Sequence, residues 1–161
     1  AKVGLALDME VIAWSQNLTK ERCDEVGATL VSKEELMRRS DVLSVHVILS
    51  QRTRGLIGVD DLKQMKPTSY LINTSRGPIV DEAALVSALK ENWIAGAGLD
   101  VFDQEPLPGD HPFRELPNVL VTSHIGGRTY ENFAARYQDC LEDVLAWLGD
   151  KPVRIVEPES G

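Results

Sequence analysis

The chain has 161 residues, 43% of them apolar, and a formal charge of −8; that charge argues against nucleic acid, whose binding relies on clustered Lys and Arg, and no apolar run reaches the length of a membrane span. Cys23 and Cys140 lie far apart with no CxxC or Cys/His ligand spacing, so neither a structural metal nor a disulfide framework is indicated. Ala1 to Leu7 lacks the basic-then-apolar pattern of a secretory leader, and a reducing, cytoplasmic location is expected.

Ala1 to Leu7 reads as the back half of a helix running into a strand at Val11 to Trp14. Ser15, Gln16 and Asn17 follow that strand and offer neutral hydrogen-bonding groups at its end. Ser32-Lys-Glu-Glu35 is a capping-box sequence that opens a short helix. The run Val42 to Leu49 predicts a second strand, with Thr53 shortly beyond it, and Lys66-Pro67 stops another helix. Tyr70 to Asn73 is a third strand, after which Thr74-Ser-Arg-Gly77 interrupts the apolar pattern. Asp81 caps a helix over Glu82 to Glu91, in which Leu85 and Leu89 stand four apart.

Further on, Ala97 to Val101 and Val119 to Thr122 complete five strands, all rich enough in apolar residues to be buried on both faces. Alternation of strand and helix at this spacing gives right-handed parallel crossovers. The fold class is α/β, a Rossmann-type doubly wound parallel sheet with helices on both sides. From Tyr130 to Leu148 the period changes: Phe133, Tyr137, Leu141, Val144 and Leu148 form one stripe of a long amphipathic helix, with Thr129 as N-cap and Gly149 as stop. Its polar face carries Glu131, Asp139, Glu142 and Asp143, the wrong sign for a membrane surface. The division is therefore a nucleotide-binding domain over residues 1–128, and a helix and tail over 129–161. The tail reads as partly loose, with Val153 to Val156 able to add a short strand.

Residues that do not look like packing gather at strand ends, where open α/β sheets bind ligands. Arg76 offers a planar fork of donors matched to a carboxylate. His124 can move a proton near neutral pH, and a carboxylate such as Glu105, carried on a turn stiffened by Pro106 and Pro108, keeps an imidazolium favourable. Thr74 and Ser75 offer hydroxyls and amides to a phosphate or sugar, and Gly77, Gly126 and Gly127 let backbone approach a flat ligand. His46, inside an apolar strand, and His111, in a Pro-rich loop, read as ordinary.

Asn73-Thr-Ser-Arg-Gly-Pro-Ile-Val-Asp81, Gly98-Leu-Asp-Val-Phe-Asp-Gln-Glu-Pro-Leu-Pro108 and Thr122-Ser-His-Ile-Gly-Gly127, with Met65-Lys-Pro67 ahead of them, resemble the successive signatures of the NAD-dependent D-isomer-specific 2-hydroxyacid dehydrogenases. An ordered set of motifs is more specific than a lone glycine pattern. The resemblance implies hydride transfer between a nicotinamide cofactor and a small 2-hydroxy or 2-keto acid, with Arg76 on the substrate carboxylate and carbonyl, His124 as acid/base and Glu105 paired with it. It implies cofactor contacts at Thr74, Ser75, Arg76, Asp100, His124, Gly126 and Gly127, with Asp100 on the nicotinamide side, and an enzyme acting as a homodimer.

Two departures accompany it. No GxGxxG motif appears, so the chain is expected to lack the first strand, the glycine-rich loop and the substrate domain of a larger enzyme, with the long helix packing on that domain. The end of the Val11 to Trp14 strand carries Ser15 where an acidic residue would favour NAD. Ser15, Gln16 and Asn17 leave both NAD and NADP open, with Lys20 or Arg22 as candidates for a 2′-phosphate, and Thr53 as a candidate for the adenine side. A dinucleotide-sensing regulatory protein on the same scaffold is the alternative function.

Overall fold

Thr19, Ser32, Asp81 and Thr129 each accept a backbone N–H from the third residue onward, and each starts a helix where its side chain satisfies an otherwise unpaired donor. The computed structural model describes residues 1–156. In chain order the elements are α1 (Lys2–Ala6), β1 (Ile12–Ala13), α2 (Lys20–Asp24), β2 (Thr29–Leu30), α3 (Lys33–Arg39), β3 (Val42–Val45), α4 (Val59–Gln64), β4 (Tyr70–Asn73), α5 (Glu82–Lys90), β5 (Gly96–Leu99), β6 (Val119–Val121) and α6 (Tyr130–Leu148), with 3-10 turns at Gly77–Ile79 and Pro112–Arg114. The chain divides into a unit Ala1–His124 and a second unit that begins at Ile125.

Every ladder is parallel, as the alternation predicts. β1 pairs with β2, and β3, β4, β5 and β6 form a four-stranded sheet in that order. No strand among the described residues joins β1 to β3. A cleft of about 730 Å³ lies there instead, lined by Ile12 and Ala13 on one side and Val42 to Val45 on the other. The result is an α/β, Rossmann-type arrangement, interrupted at the position expected for its first strand.

Three expectations about the strands' number and extent need correction. β2 adds a sixth strand that two residues were too short to announce. β3 stops at Val45 rather than Leu49, because its neighbour β4 ends at Asn73, directly opposite Val45, and the ladder has no further partner. His46 therefore lies beyond the strand, with its Nε2 2.9 Å from the Ser44 hydroxyl. Val153 to Val156 forms no strand; within the second unit, Arg154 pairs with Asp139, Glu142 and Asp143 of α6. The looseness expected of the tail falls partly on residues 157–161, which lie outside the described residues.

The core sits on one face of the four-stranded sheet. Met37 of α3, Leu62 of α4 and Ala84, Leu85, Ala88 and Leu89 of α5 pack with Leu43, Val45, Leu71, Ala97 and Leu99. Leu62, Leu71, Ile79 and Ile94 have no exposed surface, and each contributes roughly 1.5–3 kcal/mol by leaving water. The strands were expected to be covered on both faces. Their burial instead alternates, and the second face presents Val42, Tyr70 and Leu120, each about half exposed or more. β-branched and aromatic residues suit either arrangement, so composition could not separate them. None of the 19 residues of α6 is buried, and no helix among the described residues is long and apolar enough to cross a membrane.

Candidate active site

With β3, β4, β5 and β6 parallel, the loops that follow them leave the same edge of the four-stranded sheet. The loop after β4 is shaped by Asn73, which is almost fully buried: its Oδ1 accepts the Ser75 N–H and its Nδ2 donates to the Arg76 carbonyl. These bonds turn the chain so that Arg76 is exposed while Gly77 is buried against the loop after β5. A Cβ on Gly77 would overlap the Phe102 carbonyl and come within 2.5 Å of the Asp103 nitrogen. Both obstacles are backbone. Gly77→Ala is therefore expected to destabilise the protein by at least the roughly 3 kcal/mol at the upper end of ordinary overpacking, read as a fall in the urea midpoint at unchanged slope.

That close approach places Arg76 beside the loop carrying Glu105. Glu105 Oε1 accepts the Phe102 N–H at 3.0 Å, and its Oε2 lies 2.7 Å from His124 Nδ1. One carboxylate oxygen is thus fixed by its own loop and the other orients the imidazole, leaving Nε2 for a ligand. His124 has φ of +54°, a left-handed backbone that few non-glycine residues adopt and that recurs at functional sites. Arg76 Nη1 donates to the Ser75 carbonyl at 2.7 Å, which restrains the guanidinium.

Electrostatics tie the three together. Partial burial pushes the Glu105 carboxyl upward, but hydrogen bonds from His124 and the Phe102 N–H, with the charges of His124 and Arg76, outweigh it and hold the group below its ordinary value of 4.5. A carboxylate depressed in the folded state adds stability above its unfolded value, and that stability disappears as pH falls through the lower folded value. The side chain is 35% exposed, so solvent screens much of the effect. The difference in Tm between the parent protein and Glu105→Gln is expected to be largest above about pH 4.5 and to shrink under acid; a pH-independent difference would remove the depressed carboxyl.

A model of the D-isomer specific 2-hydroxyacid dehydrogenase NAD binding domain matches residues 1–126. The chain belongs to that family. It is 42% identical over 160 residues to the glyoxylate reductase of Aeropyrum pernix, covering 99% of this chain and 48% of that protein. It is 41% identical over 151 residues to the D-3-phosphoglycerate dehydrogenase of a Synechocystis strain, covering 92% and 27% respectively. The NAD complexed form of the D-isomer specific 2-hydroxyacid dehydrogenase from Lactobacillus delbrueckii ssp. bulgaricus superposes with a TM-score of 0.79 at 32% identity, over 98% of this chain and 51% of that one. The chain thus spans about half or less of the length of these relatives.

The residues that the sequence offers to a dinucleotide fall in the following places. Ser15 lines the cleft beside β1, and Gln16 and Asn17 are exposed on the turn after it. Lys20 and Arg22, the candidates for a 2′-phosphate, pair with Asp24 and Glu25 of their own segment. Thr53 Oγ1 accepts the Ser50 N–H and donates to the Ile48 carbonyl, so it staples the loop after β3. The Ser75 hydroxyl donates to Val47, joining that loop to the one after β4. Thr74 is exposed. Asp100 is buried at the end of β5 and accepts the Thr122 hydroxyl. Gly126 and Gly127 are exposed and lie in the second unit, where the Gly127 carbonyl accepts from Asn132.

The neutral hydroxyl and amide groups of Ser15, Gln16 and Asn17 at the end of β1 fit the hydroxyls of an adenosine ribose, as an NAD site requires. Sequence reasoning missed Asn73 and the Phe102 N–H, which hold the Arg76 and Glu105 loops. An asparagine closing an otherwise apolar strand was the available signal for the first. Nothing local announced the second.

Proposed function

We propose that the protein carrying this NAD-binding domain interconverts 2-keto acids and D-2-hydroxy acids, with Arg76, Glu105 and His124 as its reacting side chains. The 2.7 Å contact between His124 Nδ1 and Glu105 Oε2, with Arg76 acting electrostatically on the same carboxylate, carries the reading. When bound, NAD supplies or accepts the hydride at its nicotinamide ring. Everything else falls to the protein. Arg76 grips the substrate carboxylate and carbonyl oxygen through its fork, which orients the ligand and stabilises the negative charge that grows on that oxygen during reduction. His124 donates the Nε2 proton to the same oxygen, and Glu105 holds the ring through Nδ1 in the orientation and tautomer that make this donation direct. In the oxidative direction His124 takes the proton from the hydroxyl.

In the complete enzyme α6 packs its apolar stripe on the substrate domain, Thr74, Asp100 and the Gly126 to Gly127 segment contact the cofactor, and the working form is a cytoplasmic homodimer. The exposed apolar stripe of α6 supports the first of these placements, and sedimentation of the full-length protein checks the dimer. Loss of NADH absorbance with a panel of 2-keto acids, with NADPH in parallel, tests the activity. Turnover faster with NADH is expected; binding of NADH without any consumption would favour the dinucleotide-sensing alternative and sink the dehydrogenase reading.

A further inference from the structure

The structure holds a second carboxylate–histidine pair close to the first, and neither member has a part in the chemistry above. Glu82 is the first residue of α5, and its two oxygens reach opposite ends of the loop that carries Glu105. Oε2 accepts the Asp103 N–H at 3.2 Å, and Oε1 lies 3.1 Å from His111 Nε2. His111 Nδ1 accepts the Phe113 N–H at 3.2 Å, so the ring hydrogen stands on Nε2 and donates to Glu82. The imidazole rests 4.7 Å from the buried Phe113 ring, which in turn lies 6.4 Å from Phe102. Glu82 and His111 side chains are 23% and 15% exposed, less than either partner of the Glu105–His124 pair.

Asp103 follows Phe102, whose N–H fixes Glu105 Oε1. A peptide held by Glu82 therefore adjoins the peptide that holds Glu105. We propose that Glu82, supported by His111, is a positioning residue: it clamps both ends of the Asp103 to His111 loop and so sets Glu105 against His124. The inference rests on the dehydrogenase reading for its kinetic consequence and on the hydrogen-bond geometry for its structural one. Asp81, Asp103 and Arg54 are the other charged groups of this neighbourhood. Burial, then the charges of Glu82 and Asp81, push the Asp103 carboxyl upward against the pull of Arg54.

The test compares Glu82→Ala, which removes the clamp, with Glu82→Gln, which keeps an acceptor for the Asp103 N–H, in the full-length protein. Two readouts are taken: turnover of glyoxylate with NADH, and the His124 Nδ1–H resonance in the NMR spectrum. Glu82→Ala is expected to lower kcat roughly 10- to 100-fold, the scale of a small misplacement of a reacting group, to leave the KM for NADH at the parent value, and to shift or broaden the resonance. Glu82→Gln is expected to recover part of both, because its single amide oxygen still accepts the Asp103 N–H while its NH2 cannot accept from His111 Nε2. A resonance and kcat unchanged in Glu82→Ala would overturn the proposal, as would a loss shared equally by Glu82→Gln. If the parent protein turns over no 2-keto acid, the dehydrogenase reading fails, while the resonance alone still decides the clamp.

Discussion

In the complete enzyme His124→Asn is expected to lower kcat for 2-keto acid reduction by about 10²–10⁴-fold, the usual contribution of a positioned acid or base, and to leave NADH affinity near that of the parent. Asparagine separates the chemistry from the backbone. His124 stands at φ +54°, a conformation that asparagine adopts with little strain and alanine does not, so the loop keeps its course. The amide can still donate one hydrogen bond to Glu105 Oε2, where His124 Nδ1 now lies at 2.7 Å. It cannot deliver a proton to a developing alkoxide. A loss in kcat at preserved Tm and preserved NADH binding therefore reports the missing acid, and wild-type turnover would remove His124 from the reaction. Glu105→Gln is expected to fall between parent and His124→Asn, since it keeps a hydrogen-bond partner for the imidazole at Nδ1 but removes the carboxylate charge beside the proton transfer.

The residues of this site could be read from the sequence because each stands where an apolar strand gives way to a residue with no packing purpose. Arg76 and His124 announce themselves in that way, and parallel strands bring such positions to one edge. Glu105 is different. Its loop enters the site through the backbone contact of Gly77 with Phe102 and through Glu82 holding Asp103, pairings between residues more than 20 apart that no periodicity records. The same limit explains β2 and the end of β3. Two residues make no pattern, and the length of β3 is decided by where β4 stops. The helices were the legible part, because Ser32, Asp81 and Thr129 cap them through bonds only three residues away. Of the one-sided sheet the sequence said nothing, for Val42, Tyr70 and Leu120 are as suitable for a buried face as for an exposed one.

Arg76→Lys is the second substitution expected to act through chemistry rather than folding, with a loss of roughly 10²–10³ in kcat/KM, or about 2.7–4 kcal/mol, as when one preorganised oxyanion donor is removed. Lysine retains the charge and so tests geometry alone. The guanidinium is held by its own loop, with Nη1 on the Ser75 carbonyl at 2.7 Å, and its remaining donors form the fork that a 2-keto acid presents to: carboxylate on one side, carbonyl oxygen on the other. An ammonium has three donors but no planar fork, so it cannot hold both in one fixed geometry. Because the carbonyl oxygen gains charge as hydride arrives while the carboxylate does not change, losing the fork must raise KM and lower kcat together. Arg76 is exposed, so the change in stability should stay within about 0.5 kcal/mol, which Tm measures independently. Arg76→Lys with parental kcat/KM would mean that the substrate carboxylate is held elsewhere, and a large fall in Tm would assign Arg76 to the fold instead of the site.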